Sequence, residues 1–286
     1  MTTINKSAKI LVIGGSSLDT LTIKGKDHSS PGGAGLYTAL AAAKSGADVT
    51  LLAPFPSPVP ATLLEFSAHV KWIGPEVSPD ELPRFHIVHA NGETKYKRSF
   101  FGAEGAMTAE DLPYDFSEYD LVHLVPLGNT IKQLEFINIC RKRNEELISA
   151  GTGKPLIEQE PELEKDVIQA SDIFFMNEEE ANAVFPENTE FRFATGKHIF
   201  VTKCKNGASV FLGEYQYLLD PKQVNVLDPT GAGDAFCGAT ISGIAQGEHP
   251  VKAAMSASVL ASEVIKAVGT EKLYIKSNIR TNKINA

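Results

Sequence analysis

The chain has 286 residues, of which 43% are hydrophobic, and this is enough apolar material for one large α/β domain or two smaller ones. Its 27 Lys and Arg residues against 35 Asp and Glu residues give a net charge of −8, which argues against a nucleic-acid partner. Three scattered cysteines do not suit a disulfide framework, so the cytoplasm is the expected location. No run approaches the roughly 20 apolar residues of a membrane span, so no membrane association is expected.

The first elements alternate between strand and helix signals. Residues 9–15, KILVIGG, form a continuous apolar run that ends in glycines, which is typical of a parallel strand buried on both faces. Residues 33–46 are rich in alanine and end in a glycine, which predicts a helix with a glycine C-cap, and residues 48–52 predict the next strand. Further strand-like runs lie at 120–125, 147–150, 172–176 and 198–202. The pattern predicts a mostly parallel, doubly wound sheet with helices on both faces.

One insertion interrupts this alternation. Residues 84–90 and 93–100 are β-rich and flank Asn91-Gly92, which is a strong hairpin signal. Polar and apolar residues are mixed on both arms, so we expect a hairpin that projects as a lid, with a plain surface hairpin as the alternative. The sequence has no convincing interdomain linker. We therefore interpret residues 1–286 as a single domain with this lid inserted in it.

The most informative stretch is VNVLDPTGAGDAFCGA at 224–239, which predicts a strand, a glycine turn and a helix that starts near Asp234. Glycines let backbone N–H groups approach a phosphate, and the helix dipole favours its negative charge. No Lys follows these glycines, so the stretch does not have the P-loop pattern. An aspartate at the helix start could take a proton from a substrate hydroxyl, although Asp is also a common helix N-cap.

Four segments, in the same order along the chain, resemble the ribokinase family, also called the PfkB carbohydrate kinases. DPTGAGDAFCGA at 228–239 looks like the C-terminal signature of that family, and PGGAGLYTALAAAKSGADVTLLAP at 31–54 looks like its N-terminal Gly-Gly segment. NEEE at 177–180 matches the N-x-x-E motif, and VTKCKNGASVF at 201–211 resembles the nucleotide-binding segment.

The resemblance implies a ribokinase-like α/β fold with a small β lid. It also implies an enzyme that transfers the γ-phosphoryl group of ATP to a hydroxyl of a small polyhydroxylated acceptor, with a sugar as the first candidate. A nucleoside or inositol kinase of the same family is one alternative, and a ligand-binding member without turnover is another. The partners expected are therefore ATP and a small molecule, while monomer and homodimer both remain open.

The resemblance also implies roles for the matched residues. Asp234 would be the catalytic base, beside an anion hole formed by the amides of Gly231, Ala232 and Gly233. The residues implied to bind the acceptor are Asp19, Gly32, Gly33 and Tyr37. The residues implied to lie near the nucleotide are Thr202, Gly207, Asn177 and Glu180. Many sugar-specific members carry an asparagine where Tyr37 stands, so we expect an altered acceptor pocket.

The resemblance also implies bound ions and a lid that closes over the site. Asn177 and Glu180 would hold Mg²⁺ through water, since this ion keeps much of its hydration, and the same two residues also have the spacing of a capping box. Asp228 and Thr230 match positions that support a monovalent cation site in some members. The lid would combine about residues 18–26 with 84–100, and its closure would exclude water from the reaction.

Overall fold

The computed structural model describes residues 7–90, 93–143, 146–185 and 196–274. The strands of these residues, in chain order, are β1 (Lys9–Ile13), β2 (Ser17–Ile23), β3 (Lys26–Gly32), β4 (Asp48–Leu52), β5 (Phe55–Pro56), β6 (Lys71–Ile73), β7 (Glu76–Val77), β8 (Arg84–Ala90), β9 (Glu93–Phe100), β10 (Leu121–Leu124), β11 (Ile148–Gly151), β12 (Ile173–Asn177), β13 (His198–Thr202), β14 (Ala208–Leu212) and β15 (Tyr215–Leu219). The α-helices are α1 (Ala34–Lys44), α2 (Ala61–Leu64), α3 (Thr130–Lys142), α4 (Lys154–Gln159), α5 (Pro161–Ala170), α6 (Glu178–Val184), α7 (Ala232–Ala245) and α8 (Pro250–Val264).

The main sheet has the strand order β15-β14-β13-β12-β11-β10-β1-β4-β6. Neighbouring strands are parallel from β6 to β13 and antiparallel from β13 to β15, which confirms the mostly parallel, doubly wound arrangement. The chain winds from β1 outwards to β6 and then returns to the other side of β1 at β10. Ligands of such sheets bind outside the carboxyl ends of the strands at this point of reversal. A ligand is therefore expected near the segments that follow β1 and β10.

Helices enclose the sheet as two groups. The helices α1, α7 and α8 pack on one another and on β1 and β14, while α3 to α6 form a second group against β10 to β13. Four of the five residues of β1 are fully buried, as expected for a central strand that is covered on both faces. None of the helices in the described ranges combines the length and the hydropathy that crossing a membrane requires.

The helices α1 and α7 approach each other closely. A Cβ atom on Gly238 of α7 would lie 2.1 Å from the carbonyl oxygen of Thr38 in α1, so only a glycine fits there. Farther along, the hydroxyl of Ser242 donates to the carbonyl oxygen of Ser45 at 3.2 Å, which shows that the two helices run side by side in the same direction. Their N-terminal ends consequently meet at the same edge of the sheet.

A second sheet, of strand order β3-β2-β8-β9, contains the segments predicted to form a lid, and we refer to this sheet as the lid. The two hairpin arms have the bounds that the sequence predicted, whereas the turn predicted at Asn91-Gly92 lies outside the described residues. The sequence did not predict β3, because KDHSSPG contains none of the β-branched or aromatic residues that favour strands, and its pairing with β2 decides its structure. The lid packs Leu21, Ile23 and Ile87 against Leu227 and Val268 of the main body.

The prediction of a strand at residues 224–228 was wrong. This segment is irregular and partly exposed, and the N–H groups of Leu227 and Asp228 donate to the carbonyl oxygen of Ile265, just after α8, instead of to a neighbouring strand. The alternating apolar residues of VNVLD indicate a strand, but they do not indicate whether a neighbouring strand is available for pairing. The helix that follows begins at Ala232 rather than at Asp234.

Candidate active site

A tight turn leads into α7 and fixes its N-terminus. Gly231 is the N-cap residue with a φ of 73°, in the left-handed region that favours glycine, and a Cβ atom there would lie 2.2 Å from the ring of Tyr37. The carboxylate of Asp228 accepts hydrogen bonds from the N–H of Thr230 at 2.9 Å and from that of Gly269 at 2.7 Å. These bonds hold the turn against the segment that follows α8.

The three predicted anion-hole residues lie at this helix N-terminus. N–H groups in the first turn of a helix have no acceptor within the helix and point outwards, where an anion can bind them. The N–H of Ala232 makes a 3.3 Å hydrogen bond to the carbonyl oxygen of Pro229, so it would have to leave that oxygen to join an anion hole. Gly233 is exposed, which leaves its backbone accessible to a ligand.

Asp234 lies in the first turn of α7, beside these amides. Burial raises the pKa of its carboxyl group to about 7, while its own backbone N–H acts in the opposite direction by hydrogen-bonding the carboxylate. A carboxyl group with a pKa near neutral pH is suited to general-base chemistry, because it is both ionised and basic at that pH.

Asp19 lies on β2 of the lid, over the glycine pair. Burial raises the pKa of its carboxyl group to about 6, and the N–H of Phe85 opposes this shift by donating to Oδ1 at 3.2 Å. A Cβ atom on Gly32 would lie 1.9 Å from Oδ2 of Asp19, so the carboxylate occupies the space that a larger residue would fill. Gly33 follows as the N-cap residue of α1. The structure thus brings these three predicted acceptor residues together.

Two tyrosines connect the acceptor residues to Asp234. Tyr37 is 2% exposed, and its hydroxyl has no hydrogen-bond partner within the described part of the chain. Burial raises its pKa well above the ordinary range, as do the charges of Asp228, Asp19 and Asp234. Much of Tyr96 on β9 is exposed, but partial desolvation and the charges of Asp234 and Asp19 raise its pKa too. Asp19 and Asp234 are therefore both within electrostatic reach of the same two tyrosines, where the lid meets the main body.

The predicted nucleotide residues lie farther along the same sheet edge. Asn177 and Thr202 are paired in register at the carboxyl ends of β12 and β13. The N–H of Asn177 donates to the Glu180 carboxylate at 2.7 Å, and the N–H of Glu180 donates to Asn177 Oδ1 at 2.9 Å, which confirms the capping box. Burial raises the pKa of Glu180 to about 7, and the charge of Asp234 adds to this effect. Glu180 is thus within electrostatic reach of Asp234.

The structure explains why position 207 is a glycine without any reference to a nucleotide. A Cβ atom there would lie 1.9 Å from the carbonyl oxygen of Leu219, at the place where the turn between β13 and β14 meets the end of β15. This contact accounts for a glycine at the position, and the nucleotide role of Gly207 stays a prediction.

Two further residues at the site were not predicted from the sequence. The carboxylate of Glu104 accepts a hydrogen bond from the N–H of Gly15, just after β1, and burial raises its pKa to about 7. Nε2 of His89 on β8 lies 2.8 Å from Oγ1 of Thr230 and 3.2 Å from Oδ1 of Asp228. Both contacts join distant parts of the chain, and no motif in the sequence points to either. Among the described residues, no group of three or more His, Cys, Asp or Glu side chains is arranged to bind a metal ion.

Comparison with known proteins identifies the family to which this geometry belongs. Residues 9–276 match the sequence model of the pfkB family carbohydrate kinases. The chain belongs to that family. The cytidine kinase of Thermococcus kodakarensis is 24% identical to this pfkB chain over 270 residues, which cover 91% of the chain and 97% of the relative. The ribokinase of Bacillus subtilis is 24% identical over 285 residues, covering 92% and 94%.

Solved structures show the same fold. The ribokinase of Cryptococcus neoformans, crystallised in complex with ADP, has a TM-score of 0.78 at 17% identity and covers 94% of this chain and 97% of its own. The pfkB chain is therefore a kinase that phosphorylates a small hydroxylated acceptor, and its family implies ATP as the phosphoryl donor.

Proposed function

We propose that the chain transfers the γ-phosphoryl group of ATP to a hydroxyl of a sugar, with Asp234 as the base that removes the hydroxyl proton. The observation that carries this proposal is the position of Asp234, whose pKa is about 7, in the first turn of α7, where its charge and that of Asp19 both act on Tyr37 and Tyr96. The amides of Gly231, Ala232 and Gly233 would stabilise the charge on the phosphoryl group during transfer.

The acceptor side of the pocket suits hydroxyl groups. The Asp19 carboxylate can accept hydrogen bonds from them, and Gly32 and Gly33 carry no side chain that would compete for the space. The hydroxyl of Tyr37, which has no hydrogen-bond partner among the described residues, is a further polar group of this region. A nucleoside is the second candidate, and an inositol belongs to the same class of acceptor. The lid offers an apolar wall for a base, because the ring of Phe85 lies 6.1 Å from that of Tyr96 and 5.5 Å from that of Phe101. The similarity to a cytidine kinase supports the nucleoside candidate.

Mg²⁺ would be held near Asn177 and Glu180, through water. Glu180 is largely buried and within electrostatic reach of Asp234, so a divalent cation beside it would offset the repulsion between the two carboxylates. Mg²⁺ retains most of its water and uses few carboxylate ligands, which agrees with a Glu180 whose carboxylate already accepts a backbone hydrogen bond. When bound, the ion would neutralise charge on the phosphates.

A monovalent cation near Asp228 and Thr230 stays a prediction. The Asp228 carboxylate is fully buried, already accepts hydrogen bonds from two backbone N–H groups and has Nε2 of His89 3.2 Å from its Oδ1. The residues that would hold the cation are therefore the main-chain carbonyl groups of this turn rather than the carboxylate. Such an ion would fix the conformation of the turn.

The acceptor can be identified by a screen of pentoses, hexoses, inositols and nucleosides with ADP release as the readout. Phosphorylation of one of these classes in the presence of Mg²⁺ is expected. If no hydroxyl compound stimulates ADP release while ATP still binds, the ligand-binding alternative replaces the kinase. We also propose a cytoplasmic location and only small-molecule partners. Light scattering of the purified protein distinguishes a monomer from a homodimer.

The rate should depend on pH through the base. Burial raises the pKa of Asp234 to about 7, so below that pH its carboxyl group is protonated and cannot take a proton from the acceptor. We expect kcat/KM for the acceptor to fall by about tenfold per pH unit on the acid side. Glu180 has a pKa of about 7 as well, so the apparent pKa belongs to the coupled groups.

Thermal melts at each pH control for unfolding, and Asp19→Asn controls for the titration of Asp19. A profile that stays flat down to pH about 5.5, in protein that remains folded, contradicts the assignment of Asp234 as the base.

The lid should respond to the acceptor. We expect amide hydrogen exchange in β8 and β9 to slow by about threefold or more when a confirmed acceptor is added, while β1 stays protected throughout. Replacing both Phe100 and Phe101 by Ala should raise KM for the acceptor and increase ATP hydrolysis without transfer, because Phe101 packs on Phe85 of the lid. Unchanged exchange in β8 and β9 would reduce the lid to a static part of the surface.

A further inference from the structure

His89 makes a polar contact between the lid and the turn before α7. Its Nδ1 lies 3.0 Å from Oγ1 of Thr94 on the neighbouring lid strand, and its Nε2 lies 2.8 Å from Oγ1 of Thr230 in the main body. The same Nε2 lies 3.2 Å from Oδ1 of Asp228. With the proton on Nε2, the ring donates a hydrogen bond to Thr230 Oγ1, beside the Asp228 carboxylate, and accepts a hydrogen bond from the Thr94 hydroxyl at Nδ1. The side chain is 10% exposed, so water competes little for these bonds.

The partners of His89 are the residues that shape the turn. Asp228 fixes the turn through the N–H of Thr230, and Gly231, the N-cap of α7, comes directly after Thr230. One imidazole ring therefore touches both the carboxylate that organises the turn and the hydroxyl next to the proposed anion hole. This contact joins residues 141 positions apart in the chain.

An apolar contact between this face of the lid and the main body is of a different kind. Leu21, Ile23 and Ile87 pack against Leu227 and Val268, and such apolar contacts are non-directional. They favour closure without fixing how the lid sits on the turn. Hydrogen bonds depend on distance and angle, so the His89 bonds can specify one closed position.

His86 provides an internal comparison on the same strand. Its side chain is on the opposite face of β8, where Nε2 lies 2.8 Å from Oγ1 of Thr22 on β2. This bond stays within the lid and does not reach the turn before α7. A comparison of variants at the two histidines thus distinguishes an effect on the lid itself from an effect on the contact between the lid and the turn.

We propose that His89 is a positioning residue that couples lid closure to the geometry of the anion-hole turn. The inference rests on the proposed function, since the coupling matters for catalysis only if phosphoryl transfer takes place at α7. When the lid closes, the ring reaches Asp228 and Thr230 and holds the turn in its competent form. When the lid opens, the turn loses this support and is no longer competent for transfer. Because the lid closes over a bound acceptor, this coupling favours phosphoryl transfer to the acceptor over transfer to water.

The physical contact can be tested without any acceptor. Hydrogen exchange of the free protein is measured for the wild type, His89→Ala, His89→Gln and His86→Gln. We expect His89→Ala to speed exchange by about two- to fivefold in β8 and in residues 228–234, because both sides of the contact lose their partner. His89→Gln, which keeps an amide donor, should restore part of the protection. His86→Gln should leave residues 228–234 as in the wild type.

The catalytic consequence is measured with a confirmed acceptor. His89→Ala should lower kcat by about three- to tenfold, leave KM for ATP unchanged and raise the amount of ADP formed per phosphorylated acceptor. His89→Gln should recover part of kcat, and His86→Gln should keep the wild-type ratio of ADP to product. Thermal melts show whether each variant is folded.

Two outcomes would overturn the inference. In one, His89→Ala leaves exchange in residues 228–234 unchanged; in the other, His86→Gln raises the ratio of ADP to product as much as His89→Ala does. The failure of the proposed function is distinct from both, because it would appear as no acceptor-dependent ADP release by the wild type. The exchange experiment would still decide whether the contact exists.

Discussion

Asp234→Asn is expected to lower kcat by about two orders of magnitude or more, because the amide cannot take the proton of the acceptor hydroxyl. The substitution preserves the size of the side chain and its place in the first turn of α7. Binding of ATP should therefore change little. Steady-state rates and a separate ATP titration measure the two effects.

The stability of this variant provides a control with a definite sign. The pKa of Asp234 is raised to about 7 in the folded protein from an ordinary value of 3.8, so the folded state binds this proton more tightly than the unfolded state does. Ionisation above pH 7 consequently costs stability, and Asn removes that cost. The melting temperature of Asp234→Asn at pH about 8 should equal or exceed that of the wild type. A variant that keeps more than about a third of its activity would show that Asp234 is not the base.

Asp19→Ala is expected to weaken acceptor binding by about 10- to 150-fold. Hydrogen bonds to a charged group contribute about 1.5–3 kcal/mol, and the hydroxyls of the acceptor would lose this partner. Affinity for ATP should change much less, because the predicted nucleotide residues lie on β12 and β13 rather than in the lid. Separate titrations of the acceptor and of ATP decide the matter.

The matched control for this prediction is Asp19→Asn. The Asp19 carboxylate also accepts the N–H of Phe85, so Ala removes a hydrogen bond within the lid as well as a ligand contact. Asn keeps an oxygen for Phe85 and loses only the charge. If Asp19→Ala weakens ATP and acceptor binding equally, the residue has a structural role instead.

The parts of the fold that sequence patterns predicted are those governed by neighbouring residues. The run KILVI reads as a buried strand because it is apolar without interruption, and NEEE reads as a capping box because both of its hydrogen bonds join residues three apart. The hairpin arms were also found as predicted, since their β-rich residues and their spacing are local signals. Asp19 and Asp234 were selected through motifs, and the structure places both within electrostatic reach of Tyr37 and Tyr96.

Long-range contacts explain what could not be predicted. The strand β3 depends on its pairing with β2, and the segment 224–228 depends on the residue that follows α8. The contact of His89 with Thr230 exists only once the lid lies over the turn, and that of Glu104 with Gly15 only once the segment after β9 has packed against the end of β1. Such pairings require the three-dimensional arrangement, since no residue near either partner in the chain marks them.

The close approach of α1 and α7 sets a fixed spacing for the reaction. The glycines proposed to contact the acceptor precede α1 and the proposed base lies in the first turn of α7, so the separation between acceptor and base would follow from how tightly the two helices pack. At Gly238 that packing leaves no room for even a methyl group beside the Thr38 carbonyl oxygen. Displacements of about 1 Å between reacting groups can cost about 100-fold in rate, so a glycine in the packing of two helices would help to set the distance over which the phosphoryl group is transferred. Opening and closing of the proposed lid would leave this distance constant, because neither α1 nor α7 belongs to the lid.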